Sequence, residues 1–267
     1  MLKINQIDKD LTQFVMYRTL FGRGLYRAAC YLYRGILIDT GIHRAEREFM
    51  GAIEKYKIKS IINTHSHEDH IGNNSSLQKK YGVKIFAHQD AIPVLSHPPL
   101  LKLKPYQKFL FGLPLPSSAT IIGEEVTFDS VQLEVVKTPG HSSDHIVLFD
   151  RENGRLFCGD AYIGGFEHSL RSDVDIYGVI DSYRVMLELP VKEAYPGTGN
   201  VVNNPLELFR HKVDYLETAG KRVKELIGMG LSESEVAQKL FGNDLRMRLF
   251  TSGHFSAINL VKSFLSR

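Results

Sequence analysis

The segment Thr64-His65-Ser66-His67-Glu68-Asp69-His70 crowds three imidazoles and two carboxylates into the six positions from His65 to His70. It follows directly on Ile58–Asn63, a short apolar run fit for a buried strand. His65 and His67 are two residues apart, so in extended backbone they point the same way and can share one metal. Asp69 and His70 fall in the following turn and helix start, where they can face a second metal close by. Neutral imidazole suits zinc, iron and related borderline metals, and a carboxylate adds charge that favours a divalent ion. The alternative is a plain polar loop. So many titratable groups at a buried strand's end are costly unless something ties them together.

Two further segments have the same character. Thr138-Pro139-Gly140-His141 follows a strand expected over Val126–Val136, placing a histidine at a strand-to-loop junction. Phe157-Cys158-Gly159-Asp160 puts an aspartate just after an apolar strand, where a carboxylate can bridge two cations. Taken singly, His141 reads equally as a turn or capping histidine, and Asp160 reads more readily as a cap.

The elements that must carry these residues alternate between strand and helix. Cys30–Asp39 reads as a hairpin turning at Arg34-Gly35. Ala45–Tyr56 has helical apolar spacing, Asn73–Tyr81 reads as a helix stopped by Gly82, and Val83–His88 as a strand. Residues Pro93–Pro116, with six prolines and with Lys102, Lys104 and Lys108 among them, read as a surface insertion too irregular for a core element. After Val126–Val136 come strands at His145–Phe149 and Arg155–Cys158 around a turn at Glu152-Asn153-Gly154. Then follow a helix over Tyr177–Leu189 and a short strand at Lys192–Tyr195. Beyond Pro205 only helices are expected: Leu206–Met229, Ser232–Leu240 with a capping box from Ser232 to Glu235, and Ser256–Ser266. The domains expected are 1–205, a mixed α/β body, and 206–267, an all-helical C-terminal extension.

Composition narrows the classes. A chain of 267 residues, 43% hydrophobic and 24% charged, is an ordinary globular protein, which excludes disordered, collagen-like and coiled-coil types. No uncharged apolar run approaches the roughly 18–20 residues of a membrane span, and Met1–Asp10 lacks the apolar stretch of a signal peptide. Two cysteines, Cys30 and Cys158, make no disulfide framework, so a cytoplasmic location is expected. Cys158 reads as a small core residue. A net charge of +3 is too small to argue for nucleic acid.

The order ILIDTG (Ile36–Gly41), THSHEDH (Thr64–His70), TPGH (Thr138–His141) and GD (Gly159–Asp160) resembles the metallo-β-lactamase superfamily of metal-dependent hydrolases over about residues 30–205. The resemblance implies a four-layer αβ/βα sandwich with the metals at one edge of the two sheets. It implies that His65, His67 and His141 hold a first metal, that Asp69 and His70 hold a second, and that Asp160 bridges both. Asp39 becomes the buried acid that orients a ligand histidine. One departure stands out. Tyr195-Pro196-Gly197-Thr198-Gly199 puts Thr198 where the family usually has a further histidine, and a threonine hydroxyl is a poor zinc ligand. His254 is the substitute favoured by type, with His168 behind it; each also reads as an ordinary surface or capping histidine. TPGHSSDHIVL, GDAYIG and the helical tail are similar to the subgroup of the animal beta-lactamase-like protein 2 and glyoxalase II. The former carries a winged-helix-like C-terminal addition and is associated with single-stranded RNA cleavage.

What the resemblance implies is hydrolysis of an ester, thioester or lactone of a small molecule by metal-activated water, with Asp69 positioning that water and accepting its proton. The cofactor expected is zinc (Zn2+), one or two ions, with iron or manganese as the other candidates. An iron-dependent oxygenase has the same ligand types. Phosphodiester cleavage, including RNA, is the second enzyme reading, and the near-neutral charge disfavours it. A ligand-binding protein that kept the fold and lost turnover is the third, motivated by Thr198. Tyr162, Tyr177 and the three lysines are substrate-contact candidates; the plainer readings are core tyrosines and a solvated face. No membrane partner is expected, and the sequence sets no oligomeric state.

Overall fold

The computed structural model describes residues 1–20, 23–128 and 131–267. In chain order the strands are β1 (Leu2–Gln6), β2 (Leu11–Leu20), β3 (Arg23–Tyr33), β4 (Ile36–Ile38), β5 (Ser60–Ile62), β6 (Lys84–Ala87), β7 (Thr120–Ile121), β8 (Glu125–Phe128), β9 (Val131–Lys137), β10 (Ile146–Asp150), β11 (Arg155–Gly159), β12 (Leu170–Arg171), β13 (Glu193–Pro196), β14 (Val202–Asn203) and β15 (Phe255–Ser256). The α-helices are α1 (Glu46–Ile53), α2 (Asn74–Tyr81), α3 (Ile92–Ser96), α4 (Pro105–Leu110), α5 (Ile176–Leu187), α6 (Leu206–Gly228), α7 (Glu233–Phe241), α8 (Leu245–Phe250) and α9 (Ala257–Phe264). They form two compact units. The first comprises Met1–Lys137, Asp144–Ile163 and Lys192–Asn203; the second comprises Thr138–Ser143, Gly164–Val191 and Asn204–Arg267.

The first unit contains two sheets. One runs β1-β2-β3-β4-β5-β6-β7, the other β14-β13-β11-β10-β9-β8. Strands β4 to β7 are parallel, as are β11 and β13, while their neighbours are antiparallel. Period-two alternation assigns the faces. Val15, Ala29, Tyr31 and Tyr33 pack toward Leu133, Leu148, Phe157 and Tyr195 of the other sheet. Phe14, Met16, Cys30 and Leu32 pack with Phe49 and Ile53 of α1 and Leu77 of α2. Helices, sheet and sheet thus form three layers. Because β2 and β3 are covered on both faces, their sequences show no clean polar alternation, and neither β1 nor β2 stands out in the pattern.

The hairpin expected at Arg34-Gly35 is a two-residue turn with Tyr33 opposite Ile36. Both central residues have positive φ, +48° and +89°, the backbone that a type I′ turn demands. Two expectations are corrected. The single strand over Val126–Val136 is instead the antiparallel pair β8–β9, with Phe128 opposite Val131. Asp129 and Ser130 of that stretch lie outside the described residues. Residues 93–116 are not merely a surface insertion: Leu95, Leu110 and Phe111 are buried in the core under the first sheet. Pro93 and Pro105 start helices there, since the first helical turn needs no proline N–H.

In the second unit, α6 buries Phe209, Val213, Leu216, Gly220, Val223 and Leu226, a stripe of helical period. Gly220 admits the Phe264 ring of α9, which would lie 2.9 Å from an added Cβ. Helix α7 begins with the expected capping box: the Ser232 N–H donates to Glu235 Oε2 at 2.8 Å and the Glu235 N–H to Ser232 Oγ at 3.3 Å. The tail is not wholly helical, because β15 pairs antiparallel with β12; two residues are too few to leave a periodic signal. Among the described residues no helix is long and apolar enough to cross a membrane.

Lys212 of α6 is buried in an ion pair with Glu167 Oε1; among the described residues Glu167 Oε2 has no hydrogen-bond partner, and the Glu167 carbonyl accepts from Tyr215 Oη at 2.7 Å. Removing one member leaves a buried, uncompensated charge. Lys212→Met is expected to lower unfolding free energy by about 3–5 kcal/mol in urea titrations. Pairing it with Glu167→Leu is expected to restore most of that loss.

Candidate metal centre

In the first unit the chemistry-bearing residues sit where strands end. Parallel β4 and β5 stop side by side, delivering Asp39 just after one and Thr64–His70 after the other. Parallel β11 and β13 deliver Asp160 and the Gly197-Thr198 turn. Asp39 is buried and has φ +59°, a left-handed backbone that costs a non-glycine residue about 1–3 kcal/mol. Its carboxylate holds it there. Oδ1 accepts from the Thr64 N–H at 2.8 Å, and Oδ2 accepts from Thr64 Oγ1 at 2.8 Å and from His70 Nδ1 at 2.7 Å.

That last bond sets the tautomer of His70: with Nδ1–H donating to Asp39, Nε2 is the ring atom left for another partner. It is fully buried and, among the described residues, its neighbours include carboxylates. It lies 3.3 Å from Asp160 Oδ1 and 3.8 Å from Asp69 Oδ2. Burial alone would lower the pKa of His70; the carboxylates of Asp39, Asp160 and Asp69 outweigh it and hold the imidazole well above the usual histidine range. A buried imidazole nitrogen 3.3 and 3.8 Å from two carboxylate oxygens is a donor set that suits a divalent cation.

His65 and His67 complete the cluster. His65 Nε2 stands 2.9 Å from His67 Nδ1, and the His65 ring centroid is 4.1 Å from that of His70. The ligand atoms of His65, His70 and Asp160 lie within 4.8 Å of one another. Asp69 and His70 occupy a tight turn closed by the His70 and Ile71 N–H groups donating to the His67 carbonyl at 3.0 and 3.2 Å.

The surrounding backbone is made of close approaches. A Cβ on Gly197 would lie 2.6 Å from both Asp160 Oδ1 and His70 Cε1. The Pro196–Gly199 turn is held from the facing sheet, where Tyr31 Oη donates to the Pro196 carbonyl at 2.7 Å, the Ala29 N–H to Gly197 O at 2.6 Å, and Gln13 Nε2 to Gly199 O at 2.7 Å. Thr198 follows in this turn, and its hydroxyl is buried without a hydrogen-bond partner.

His65, His67, Asp69, His70, Asp160 and Asp39 therefore come together, with Thr198 beside them. His141 is half-buried on Thr138–Ser143, which belongs to the second unit. There Gly140 approaches α5 so closely that a Cβ would lie 2.2 Å from the Val179 nitrogen. His254, also in the second unit, has Nε2 3.8 Å from Asp173 Oδ1, and His168 is exposed. Tyr162 is buried, the Tyr177 hydroxyl donates to the Phe264 carbonyl at 2.9 Å, and Lys102, Lys104 and Lys108 are exposed.

Sequence reasoning missed two neighbours. His145 Nε2 accepts the Asp160 N–H at 3.1 Å, anchoring the loop that carries the aspartate; its position four residues after His141 was the available signal. Tyr26 Oη donates to Asp69 Oδ2 at 2.6 Å. Burial, then the charges of Asp69, Asp160 and Glu68, push that phenol well above its usual range and keep it protonated.

Comparison with known proteins agrees with this geometry. The sequence profile of the metallo-beta-lactamase superfamily matches residues 23–198. A beta-lactamase-like protein 2 homolog of Drosophila melanogaster is 29% identical over 194 residues, covering 68% of this chain and 60% of the relative. The atrochrysone carboxyl ACP thioesterase of Aspergillus fumigatus is 28% identical over 193 residues, covering 70% of this chain and 54% of the relative. The chain thus spans less than two thirds of the length of either relative. A metallo-beta-lactamase family protein from Thermus thermophilus superposes with a TM-score of 0.70, covering 95% of this chain and 91% of that one at 18% identity, a likeness of fold. With its profile match across most of the α/β body and histidine–aspartate cluster at the strand ends, the chain belongs to the metallo-beta-lactamase superfamily.

Proposed function

We propose that this chain is a metal-dependent hydrolase that adds water to the carbonyl carbon of a thioester, ester or lactone of a small molecule. The observation that carries the reading is the buried Nε2 of His70, converging with the carboxylates of Asp69 and Asp160 beside His65. Following the family pattern, His65, His67 and His141 would hold one cation, and Asp69, His70 and Asp160 would hold a second. Zinc suits this set, with iron or manganese as the alternatives. Thr198 leaves the second position one strong donor short, and His254 is the residue proposed to make up the difference. Residues 1–205 act as the catalytic domain and 206–267 as a mostly helical C-terminal extension, in the reducing cytoplasm that suits two buried free thiols.

A divalent cation bound there would supply a water acidic enough to ionise near neutral pH and an electrophile for a carbonyl oxygen. The chain's own residues do the rest. Asp39 keeps the His70 ring turned so that Nε2 faces the site. Asp69 orients the attacking water and accepts its proton. The water oxygen bonds to the carbonyl carbon, the bond from that carbon to sulfur breaks, and the sulfur leaves as a thiolate. Thioesters head the substrate classes for a chemical reason: a thiol has a pKa of about 8.5, so its thiolate leaves without a strong acid to protonate it. The similarity to the fungal thioesterase supports the same class. The competing reading, a ligand-binding member without turnover, rests on Thr198 standing where the family usually has a histidine.

Protein purified without added metal is expected to carry one to two equivalents of cation by elemental analysis. Thr198→His is expected to gain an equivalent if the second position is vacant in the parent. The metal-loaded protein is expected to turn over at least one generic thioester, ester or lactone, and His67→Ala to abolish that turnover. Metal uptake with inactivity across all three panels would leave the binding reading standing instead. Asp39→Asn, which replaces one acceptor oxygen by a donor, is expected to weaken cation affinity by about 10–100-fold in chelator competition.

A further inference from the structure

Tyr26 lies on β3 opposite Arg18, next to a register shift between Arg18 and Thr19. Such an irregularity bends a strand and re-aims its side chains. The Tyr26 ring packs edge-on against Phe111, with centroids 4.7 Å apart and planes at 74°. Phe111 is itself fixed, its N–H donating to the Gln107 carbonyl at 2.7 Å and its carbonyl accepting from the Arg44 N–H at 3.0 Å. The phenol is therefore a rigid arm, and its hydroxyl ends 2.6 Å from Asp69 Oδ2. That oxygen is the one 3.8 Å from His70 Nε2.

A carboxylate at the end of a single bond has a broad torsional minimum and turns readily. An O–H···O⁻ bond to an ionised acceptor is about twice as strong as a neutral one, and here it crosses 43 residues of sequence. We infer that Tyr26 is a positioning residue, whose hydroxyl sets the plane of the Asp69 carboxylate for both cation binding and water orientation. The inference rests on the hydrolase reading above for the role of Asp69. The bond takes one lone pair of Oδ2. The remaining lone pairs of the carboxylate then point in fixed directions instead of sweeping the site. Tyr26 touches neither the substrate nor the reacting atoms in this scheme; it acts through Asp69 alone.

The test uses Tyr26→Phe, which keeps the ring and its contact with Phe111 and deletes only the hydroxyl. Cobalt(II) is titrated into chelator-stripped protein and followed by its visible absorption bands, which report ligand geometry whether or not substrate is turned over. The expected result is an altered cobalt spectrum and about 10–100-fold weaker binding of the last cobalt equivalent. For any thioester the parent hydrolyses, about a tenfold fall in kcat with KM unchanged is expected, because a freely turning Asp69 orients the attacking water less well while substrate contacts stay the same. Phe111→Leu, which loosens the packing and keeps the hydroxyl, is expected to retain the parent spectrum. A Tyr26→Phe protein with the parent's spectrum and affinity overturns the inference, as does a Phe111→Leu protein that reproduces the whole effect. A parent that binds cobalt and hydrolyses nothing overturns the hydrolase reading instead, while the spectra still decide whether Tyr26 positions Asp69.

Discussion

A carboxylate removed from water must have its lone pairs occupied, and Asp39 finds every partner in the segment that carries the metal-binding side chains. Thr64 supplies a backbone and a hydroxyl donor, and His70 supplies Nδ1. The same bonds that stabilise the buried acid and its left-handed backbone fix the turn after β5 and the tautomer of His70. If Asp39 were turned away, the imidazole would lose its orientation and the cluster its direction. Stability and site geometry are here one set of hydrogen bonds.

The rest of the first unit serves that set by bringing backbone close. Gly197 lets Asp160 and His70 sit against the turn after β13, and three donors from β2 and β3 hold that turn in place. Each donor comes from the neighbouring sheet, so the packing of sheet on sheet aligns the site as well as forming the core. Clustering Asp39, Asp69 and Asp160 is electrostatically unfavourable without compensating positive charge. The raised proton affinity of His70 is the local expression of that imbalance. A divalent cation would answer the same need with greater charge.

Much of this was legible in the residue pattern. The spacing of His65 and His67 at a strand end, and the aspartate following Gly159, mark groups that the structure places together. Helix α2, its stop at Gly82 and the capping box of α7 follow from local rules, since caps and left-handed stops depend on a few adjacent residues. The elements that escaped were those whose signal is not local. Strands β1 and β2 are held by cross-strand partners, and burial of β2 on both faces hides its period. The prolines of 93–116 looked like breakers because their positions at helix starts become apparent only once the helices are seen.

The residue types and their order determined the family and the metal-ligating character of the cluster, because ligand chemistry and strand-end spacing are short-range properties. Tertiary structure alone decided which atoms face each other. Tyr26 reaches Asp69 across 43 residues, Asp160 is set by a bond to His145, and the turn at Thr198 is gripped by residues of β2 and β3. No periodicity encodes such contacts. They arise when sheets pack and desolvated polar groups must find partners, wherever in the chain those partners lie.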